Sequence, residues 1–170
     1  SSLTSIIIPS NVVSIGYDAF YNCTSLTSIT ISESVASIGS YAFKGCSSLI
    51  SVTVGKAVAS IAKGTFQSCS SLTFINIPDN VTSIGDIAFE GCSLLTSIKI
   101  GEGVVSIGKN AFKGCNALTD CYSYATTPPN TNSSFNSYGE NTTLHVPIKC
   151  STAYKSSSWE RYFTNIVEMD

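Results

Sequence analysis

The strongest constraint on the fold of this chain is an interval of 23 residues that recurs along most of its length. Leu, Val, Ile, Phe and Cys each return at this spacing, in phase with one another. The copies of the cysteine are Cys23, Cys46, Cys69, Cys92 and Cys115. Residues that form one chemical site converge on a point, whereas a constant interval indicates a structural unit copied along the chain. The repeat therefore predicts an array of stacked units.

Each unit contains three segments with different local patterns. The segment "LTSITI", residues 26–31, alternates apolar and polar residues, as a strand with one buried face does. A proline or glycine ends this strand in most units, and the "VxSIG" segment that follows predicts a second short extended piece. The closing "AFxxC" segment has apolar residues at i, i+1 and i+4. This spacing predicts a short helical or 3₁₀ turn that returns the chain to the next strand.

A single unit cannot cover its own apolar residues, but stacked units can, because each coil covers its neighbour. The repeat therefore predicts a mainly β solenoid. A continuous parallel sheet should run along one side, with short helical or 3₁₀ turns on the return. Neighbouring strands lie about 4.8 Å apart, so the array should be a rod roughly 30 Å long.

The unit "C-x-S-L-T-S-I-x-I-P-x-x-V-x-S-I-G-x-x-A-F" resembles the BspA-like class of leucine-rich repeats, from Leu3 to about Leu118. Residues 143–170 also resemble the closing segment that such proteins often carry. The resemblance implies a leucine-rich-repeat solenoid, which is a right-handed coil with the parallel sheet on its concave side. It places this solenoid in a secreted or surface-anchored protein. It also implies a role in adhesion to host matrix proteins, to host cells or to other microbes, and hence an extracellular or cell-surface location.

The cysteine column is interpreted as structural. In leucine-rich repeats the corresponding corner is Asn or Cys, because a small, weakly polar side chain fills it and meets a nearby backbone group. A metal site is not expected, since tetrahedral ligands surround a point and these thiols lie along a line. Disulfides between neighbouring coils are also not expected, because the strand spacing exceeds the Cβ separation of a bridge. Cys121 and Cys150 lie outside the column, and a bridge between them stays open.

We divide the chain into repeats over residues 1–125 and a degenerate last repeat with a C-terminal cap over residues 126–170. The N-terminal end is interpreted as truncated, so that another coil preceded the first. In the last repeat, residues 127–130 ("TPPN") replace the "VxSIG" segment. A terminal coil has no successor, so an atypical unit is expected there. The cap should contain a strand from Leu144 to Val146, and Trp159 and Phe163 should pack on the last coil.

Composition and motifs argue against several kinds of function. Only 12% of the residues are charged and the formal net charge is −2, which does not fit nucleic-acid binding. No apolar run approaches the roughly 20 residues that cross a bilayer, so no membrane insertion is expected. The one histidine, His145, falls in the proposed cap strand and is interpreted as structural. A serine recurs at the second extended piece of each unit, but no general base that could activate it as a nucleophile accompanies it. We therefore predict a chain without enzymatic activity and without a cofactor.

The informative positions are those where the repeat varies on an exposed face of the predicted sheet. The outward positions of the first three units are mostly Ser and Thr, whereas those of the last three units vary. The candidate interaction residues are Phe74, Asn76, Lys99, Asp120, Tyr122 and Tyr124. Exposed aromatic residues beside a few polar anchors are typical of recognition surfaces. The alternatives are drift at unconstrained positions, or Tyr122 and Tyr124 lying under the cap.

The sequence thus favours a binding module that recognises a host or microbial surface protein or a glycan through the concave face. The alternative is a structural spacer or set of cap repeats that presents a binding region elsewhere in a longer protein. A monomer is expected, although an unpaired strand edge at the N-terminal end offers a route to end-to-end association.

Overall fold

The computed structural model describes residues 3–135 and 141–169, and it confirms a parallel β solenoid. Successive coils begin at Leu3, Leu26, Leu49, Leu72, Leu95 and Leu118, and we number them 1 to 6. The strands are β1 Ser5–Ile7, β2 Ser14–Ile15, β3 Ser28–Thr30, β4 Ser37–Ile38, β5 Ser51–Thr53, β6 Ser60–Ile61, β7 Phe74–Ile77, β8 Ser83–Ile84, β9 Ser97–Ile100, β10 Ser106–Ile107, β11 Asp120–Ser123, β12 Asn130–Thr131, β13 Thr143–Val146 and β14 Asn165–Glu168. An α helix, α1 Ser151–Lys155, and a 3₁₀ helix, Ser158–Arg161, lie between β13 and β14. No helix among the described residues has the length and apolar character to cross a membrane.

One long sheet runs the length of the solenoid in the order β1-β3-β5-β7-β9-β11-β13-β14, with every pair parallel. The strands pair at the repeat interval, so that Ile29 lies beside Val52 and Ile75 beside Ile98. Because side chains alternate across a strand, these residues enter the core and their neighbours point outward. The repeat interval thus sets the register of the sheet.

The second extended piece of each unit forms a separate row of short strands. β12-β10-β8-β6 make one parallel sheet and β2-β4 make another. The isoleucines of this row are buried, whereas its serines are exposed or half-buried. The serine column therefore belongs to a solvated face.

The return segments consist of single turns. In coil 2 the Lys44 N–H donates to the Tyr41 carbonyl and the Cys46 N–H to the Phe43 carbonyl, the i→i+3 spacing of a 3₁₀ turn. Tyr41 and Gly45 have positive φ values of 60° and 74°, a conformation that ends a helix. The N–H groups of Tyr41, Phe43 and Gly45 instead donate to carbonyls of the next coil. The return path is thus a third hydrogen-bonded row between coils.

A column of stacked phenylalanine rings lies under the return turns. Consecutive ring centroids are 4.8–5.4 Å apart, and neighbouring rings are within 13° of parallel. This spacing lies in the range that aromatic pairs favour. The members are Phe20, Phe43, Phe66, Phe89, Phe112 and Phe135. Since every inner ring packs against two others, the column links each coil to both neighbours.

The repeated cysteines lie beside this column as thiols. The Cys46 Sγ donates to the Phe20 carbonyl oxygen at 3.1 Å, and Cys69 donates to Phe43 at 3.2 Å. The same contact recurs at Cys92 and Cys115, at 3.3 Å. Each of these four thiols therefore donates to a backbone carbonyl of the preceding coil. No cluster of metal-ligating side chains occurs among the described residues.

Buried thiols should resist modification in the folded protein. Burial raises the pKa of Cys46 to about 12, and it also raises the pKa of Cys69 and Cys121. The thiolate is the reactive species, so these groups should not react at neutral pH. With Ellman's reagent we expect early reaction only of the half-buried Cys23 and Cys150, and reaction of the other five after denaturation. Equal rates for all seven thiols before denaturation would contradict this packing.

A glycine column allows the coils to approach each other closely. A Cβ added to Gly108 would lie 2.4 Å from the backbone nitrogen of Asp86, whereas one added to Gly16 would meet nothing within 4 Å. Gly108→Ala is therefore expected to lower the free energy of unfolding by about 1–3 kcal/mol. Gly16→Ala is the matched control and should be close to neutral. Urea denaturation of both variants measures the difference, and equal midpoints would show that the coils are not in this contact.

The sequence predicted that the sixth coil loses its second extended piece, but the structure contains this piece as β12. Pro128 and Pro129 have no N–H to donate. The Asn130 N–H donates to the Val105 carbonyl instead, at 2.9 Å. β12 then pairs with β10, with Asn130 beside Ser106. The row of short strands thus continues, shifted by one residue relative to the repeat interval.

The C-terminal segment continues the long sheet and covers the end of the core. The predicted strand is present as β13, and β14 adds a further parallel strand that the repeat pattern did not predict. Trp159 and Phe163 are buried, as expected, with ring centroids 5.2 and 5.1 Å from Phe135. The Trp159 Nε1–H donates to the Pro129 carbonyl at 2.8 Å. This segment therefore extends the phenylalanine column by two aromatic rings.

Cys121 and Cys150 are not bridged. Cys121 lies on the buried face of β11, beside Ile98 and Leu144. Cys150 precedes α1 and is half-buried, and its Sγ donates to the Ile148 carbonyl at 3.6 Å. The segment is held by packing and hydrogen bonds instead, including a buried bond between the Ser123 and Tyr154 hydroxyls at 2.6 Å.

Candidate interaction surface

The candidate residues lie together on the outward side of three neighbouring strands. β7 carries Phe74 and Asn76, β9 carries Lys99, and β11 carries Asp120 and Tyr122. Asn76 pairs in register with Lys99, which in turn pairs with Tyr122. Tyr124 follows β11 directly and is 38% exposed. We call Phe74, Asn76, Lys99, Asp120, Tyr122 and Tyr124 the variable face.

His145 joins this face from the neighbouring strand β13. Its ring stacks on Tyr122, with centroids 4.2 Å apart and planes 10° from parallel. Its Nε2 lies 2.8 Å from Asp120 Oδ1, and the Lys99 ammonium lies 5.9 Å from the Tyr122 ring centroid on the other side. Tyr122 is therefore half-buried between neighbours on the same face, while Tyr124 stays exposed.

The contact with His145 lowers the pKa of Asp120, chiefly through the hydrogen bond, with a further contribution from the Thr119 hydroxyl. A carboxylate whose pKa is lower in the folded state than in the unfolded state stabilises the fold above the unfolded value. That contribution is lost as the pH falls through the lowered pKa. The effect should be small because the Asp120 side chain is 37% exposed.

Asp120→Asn should therefore reduce the acid sensitivity of the fold. Between about pH 5 and about pH 2, the unfolding free energy of the variant should fall less steeply than that of the wild type. Urea denaturation at several pH values measures both slopes. Parallel slopes would show that Asp120 does not gain from its hydrogen bond in the folded protein.

A shallow depression of about 300 Å³ lies around Phe74. Phe74 is 43% exposed and Ile50 is 52% exposed, so two large apolar side chains meet solvent here. Ser51, Thr53 and Asn76 complete its outward lining. Apolar side chains ringed by small polar groups are typical of the anchor points of protein interfaces.

A larger groove of about 680 Å³ crosses the ends of the same strands. It contains Asn76, Lys99 and Tyr124 of the variable face, and its other lining residues come from coils 2 to 4. These are Glu33, Thr53, Val54, Lys56, Pro78, Asp79 and Asn80. The groove thus runs along the solenoid axis, across the strands.

Both depressions meet where the long sheet is least regular. β5 and β7 pair in register only at Ser51 and Phe74, whereas β7 and β9 pair at four positions. Thr53, Val54 and Asn76 line both depressions. The repeat pattern gave no sign of this local opening, because the sequences of the two strands fit the same template.

A second aromatic cluster, which the repeat pattern did not predict, lies on the return turns of coils 1 and 2. Tyr17 and Tyr41 are edge to face at 5.8 Å, and the Lys44 ammonium lies 5.3 and 5.8 Å from the ring centroids of Tyr41 and Tyr21. The signal available in the sequence was the presence of tyrosine at return positions that vary between repeats. We call Tyr17, Tyr21, Tyr41 and Lys44 the return-turn cluster.

The histidine–aspartate pair is one that catalytic sites also use. Here Asp120 hydrogen-bonds Nε2, and Tyr122 covers one face of the imidazole ring. Within the described ranges, no hydroxyl or thiol is recorded in a hydrogen bond with His145. His145 is not among the residues that line the groove or the depression. His145 thus contacts Asp120 and Tyr122 on the outward side of the long sheet.

The stacked coils, the single long parallel sheet and the regular column of core residues define a leucine-rich-repeat solenoid. The sequence profile described as "BspA type Leucine rich repeat region (6 copies)" matches residues 1–119 and 61–160. The chain belongs to this family.

Solved structures with the same fold come from several bacteria. A leucine rich cell surface protein from Faecalibacterium prausnitzii is 35% identical with a TM-score of 0.69, over 71% of this chain and 32% of that one. A leucine-rich repeat protein from Bacteroides ovatus is 35% identical with a TM-score of 0.73, over 83% and 39%. The pneumococcal vaccine antigen PcpA is 17% identical with a TM-score of 0.76, over 98% and 42%, which shows a shared fold.

The chain thus spans between 32% and 42% of the length of these three proteins. No curated protein is significantly similar to it in sequence.

Proposed function

We propose that the chain is a non-enzymatic binding module of a secreted or cell-surface protein. Its target would be a host matrix protein, a host cell or another microbe, recognised as a surface protein or a glycan through the variable face. The observation that carries this proposal is the concentration of non-repeating outward residues on one continuous part of a sheet whose other outward residues are mostly Ser and Thr. An extracellular location is supported by the relative from F. prausnitzii, which is a leucine rich cell surface protein.

The geometry supports recognition by a broad surface. Phe74 supplies an exposed apolar anchor on β7, and the stacked rings of Tyr122 and His145 on β11 and β13 form a second contact area two strands away. Lys99 and Asp120 add one charge of each sign. Aromatic anchors with a few polar groups carry most of the energy at protein interfaces. A sheet held by neighbours on both sides loses little conformational freedom on binding, which favours affinity.

The test compares two triple variants of this chain on immobilised extracellular-matrix preparations and on cultured cells. Phe74→Ala, Lys99→Ala and Tyr122→Ala together should abolish binding. Ser5→Ala, Ser28→Ala and Thr30→Ala together change the same outward face in coils 1 and 2, and should leave binding intact. Thermal unfolding shows that both variants fold. Equal binding by the two variants would remove the variable face from the function.

A second candidate function is that of a spacer that presents a binding region elsewhere in a longer protein. It is favoured by the uniform outward residues of the first coils, such as Ser5, Ser28 and Ser51. If this chain binds no target that the longer protein binds, the spacer function is the correct one. Retention of binding by the 170-residue chain excludes it.

A further inference from the structure

The groove across the strand ends has a shape that the variable face alone does not explain. Coils 2 to 6 each contribute lining residues, from Glu33 in coil 2 to Tyr124 in coil 6. Neighbouring strands are about 4.8 Å apart, so the groove extends roughly 19 Å along the solenoid axis. A ligand that follows it along its whole length must therefore be extended.

The charges in the groove are balanced. Glu33 and Asp79 contribute two carboxylates, and Lys56 and Lys99 contribute two ammonium groups. An anionic polymer would need an excess of cations along its path, as nucleic-acid binders show. The balance therefore favours a ligand without net charge.

The polar groups of the groove include donors and acceptors that the fold does not use. The structure records no hydrogen bond from the Asn76 amide, the Lys56 ammonium or the Tyr124 hydroxyl to another described residue. One carboxylate oxygen of Glu33 accepts from the Lys56 backbone N–H at 2.7 Å, which fixes the side chain and leaves the other oxygen available. Carboxylate, amide, ammonium and phenol groups together offer both donors and acceptors to hydroxyl groups.

The ring of Tyr124 supplies apolar surface at one end of the groove. Tyr124 is exposed, and an aromatic ring with a polar tip suits a ligand with both C–H faces and hydroxyls. The large apolar anchors that a protein partner would use, Phe74 and Ile50, line the neighbouring depression instead. The two depressions therefore differ in chemistry.

We propose that this groove binds an extended, neutral oligosaccharide that lies along the solenoid axis with a sugar ring against Tyr124. The inference rests on the proposed function and assigns the ligand class of one part of that surface. Sugar hydroxyls bond to Glu33, Lys56 and Asn76, with successive rings over successive coils.

The experiment titrates the ¹⁵N-labelled chain with cellohexaose, maltohexaose and chitohexaose, and with a heparin hexasaccharide as the anionic comparison. At least one neutral hexasaccharide should shift amide resonances of residues 53–56, 76–80 and 124, and heparin should bind more weakly. Asn76→Ala and Tyr124→Ala should each weaken binding about tenfold, the effect of one lost hydrogen-bonded or stacked contact. Tyr17→Ala, an exposed tyrosine of the return-turn cluster, is the matched control and should leave binding unchanged.

Three results would overturn the proposal: no shift with any neutral hexasaccharide, stronger binding of heparin, or unchanged affinity in both groove variants. If the hexasaccharides fail while the chain still binds matrix or cells through Phe74, Lys99 and Tyr122, the ligand class is wrong and the proposed function stands. If neither kind of target binds, both are wrong.

Discussion

Phe66→Ala is expected to lower the free energy of unfolding of the 170-residue chain by about 3–5 kcal/mol. Phe66 is fully buried, and its ring lies 5.4 Å from both Phe43 and Phe89. Truncation to alanine removes the ring and therefore both of its contacts with the neighbouring coils. Stability in a solenoid is a sum of the stabilities of single repeats and of the contacts between neighbours. Loss of two such contacts near the middle therefore weakens the whole array.

The matched control for this variant is Phe20→Ala. Phe20 is partly exposed, and its ring stacks on Phe43. Phe20→Ala should therefore lower the free energy of unfolding much less than Phe66→Ala does. Urea denaturation followed by circular dichroism measures both variants. An equal loss at the two positions would show that the rings do not act through contacts between neighbours.

Trp159→Ala is expected to release the C-terminal segment and to lower stability by a similar amount, about 3–5 kcal/mol. Trp159 is fully buried, and its ring contacts Phe135 and Tyr154. Its loss also leaves the Pro129 carbonyl without its hydrogen-bond donor, which adds a desolvation cost. The end of the phenylalanine column would then meet water.

Hydrogen exchange separates this local effect from a global one. Amides of β13, β14 and α1 should lose protection in Trp159→Ala, while those of β3, β5 and β7 keep it. Trp159→Phe retains most of the packing without the N–H donor and should fall between the variant and the wild type. Uniform loss of protection along the chain would contradict the view that Trp159 acts through the last coils.

The repeat made the body of the fold predictable. A single 23-residue pattern predicted the strands, their register and the buried columns, because every copy has apolar residues at the same positions. The C-terminal segment has no copies, so β14 was not foreseen. The one-residue shift at Asn130 was missed because it depends on the N–H that Pro128 and Pro129 lack.

The candidate site was predictable as a set of positions but not as an arrangement. One more step of 23 residues from Tyr122 leads to His145. The sequence could therefore have predicted that these two side chains are neighbours on the sheet. The hydrogen bond between His145 and Asp120 and the opening between β5 and β7 depend on side-chain and strand geometry. Neither feature changes the repeat pattern of the sequence, so neither could be predicted from it.

Photo-crosslinking from single positions tests the binding role of the variable face most directly. Benzoylphenylalanine replaces Phe74 on that face in one variant, which keeps an aromatic ring at an exposed position, and Tyr21 of the return-turn cluster in another. Each variant is exposed to extracellular-matrix preparations, cells and neutral glycans and then irradiated. We expect target crosslinks from position 74 and only background from position 21. Crosslinks from position 21 with none from position 74 would contradict the assignment of binding to this face.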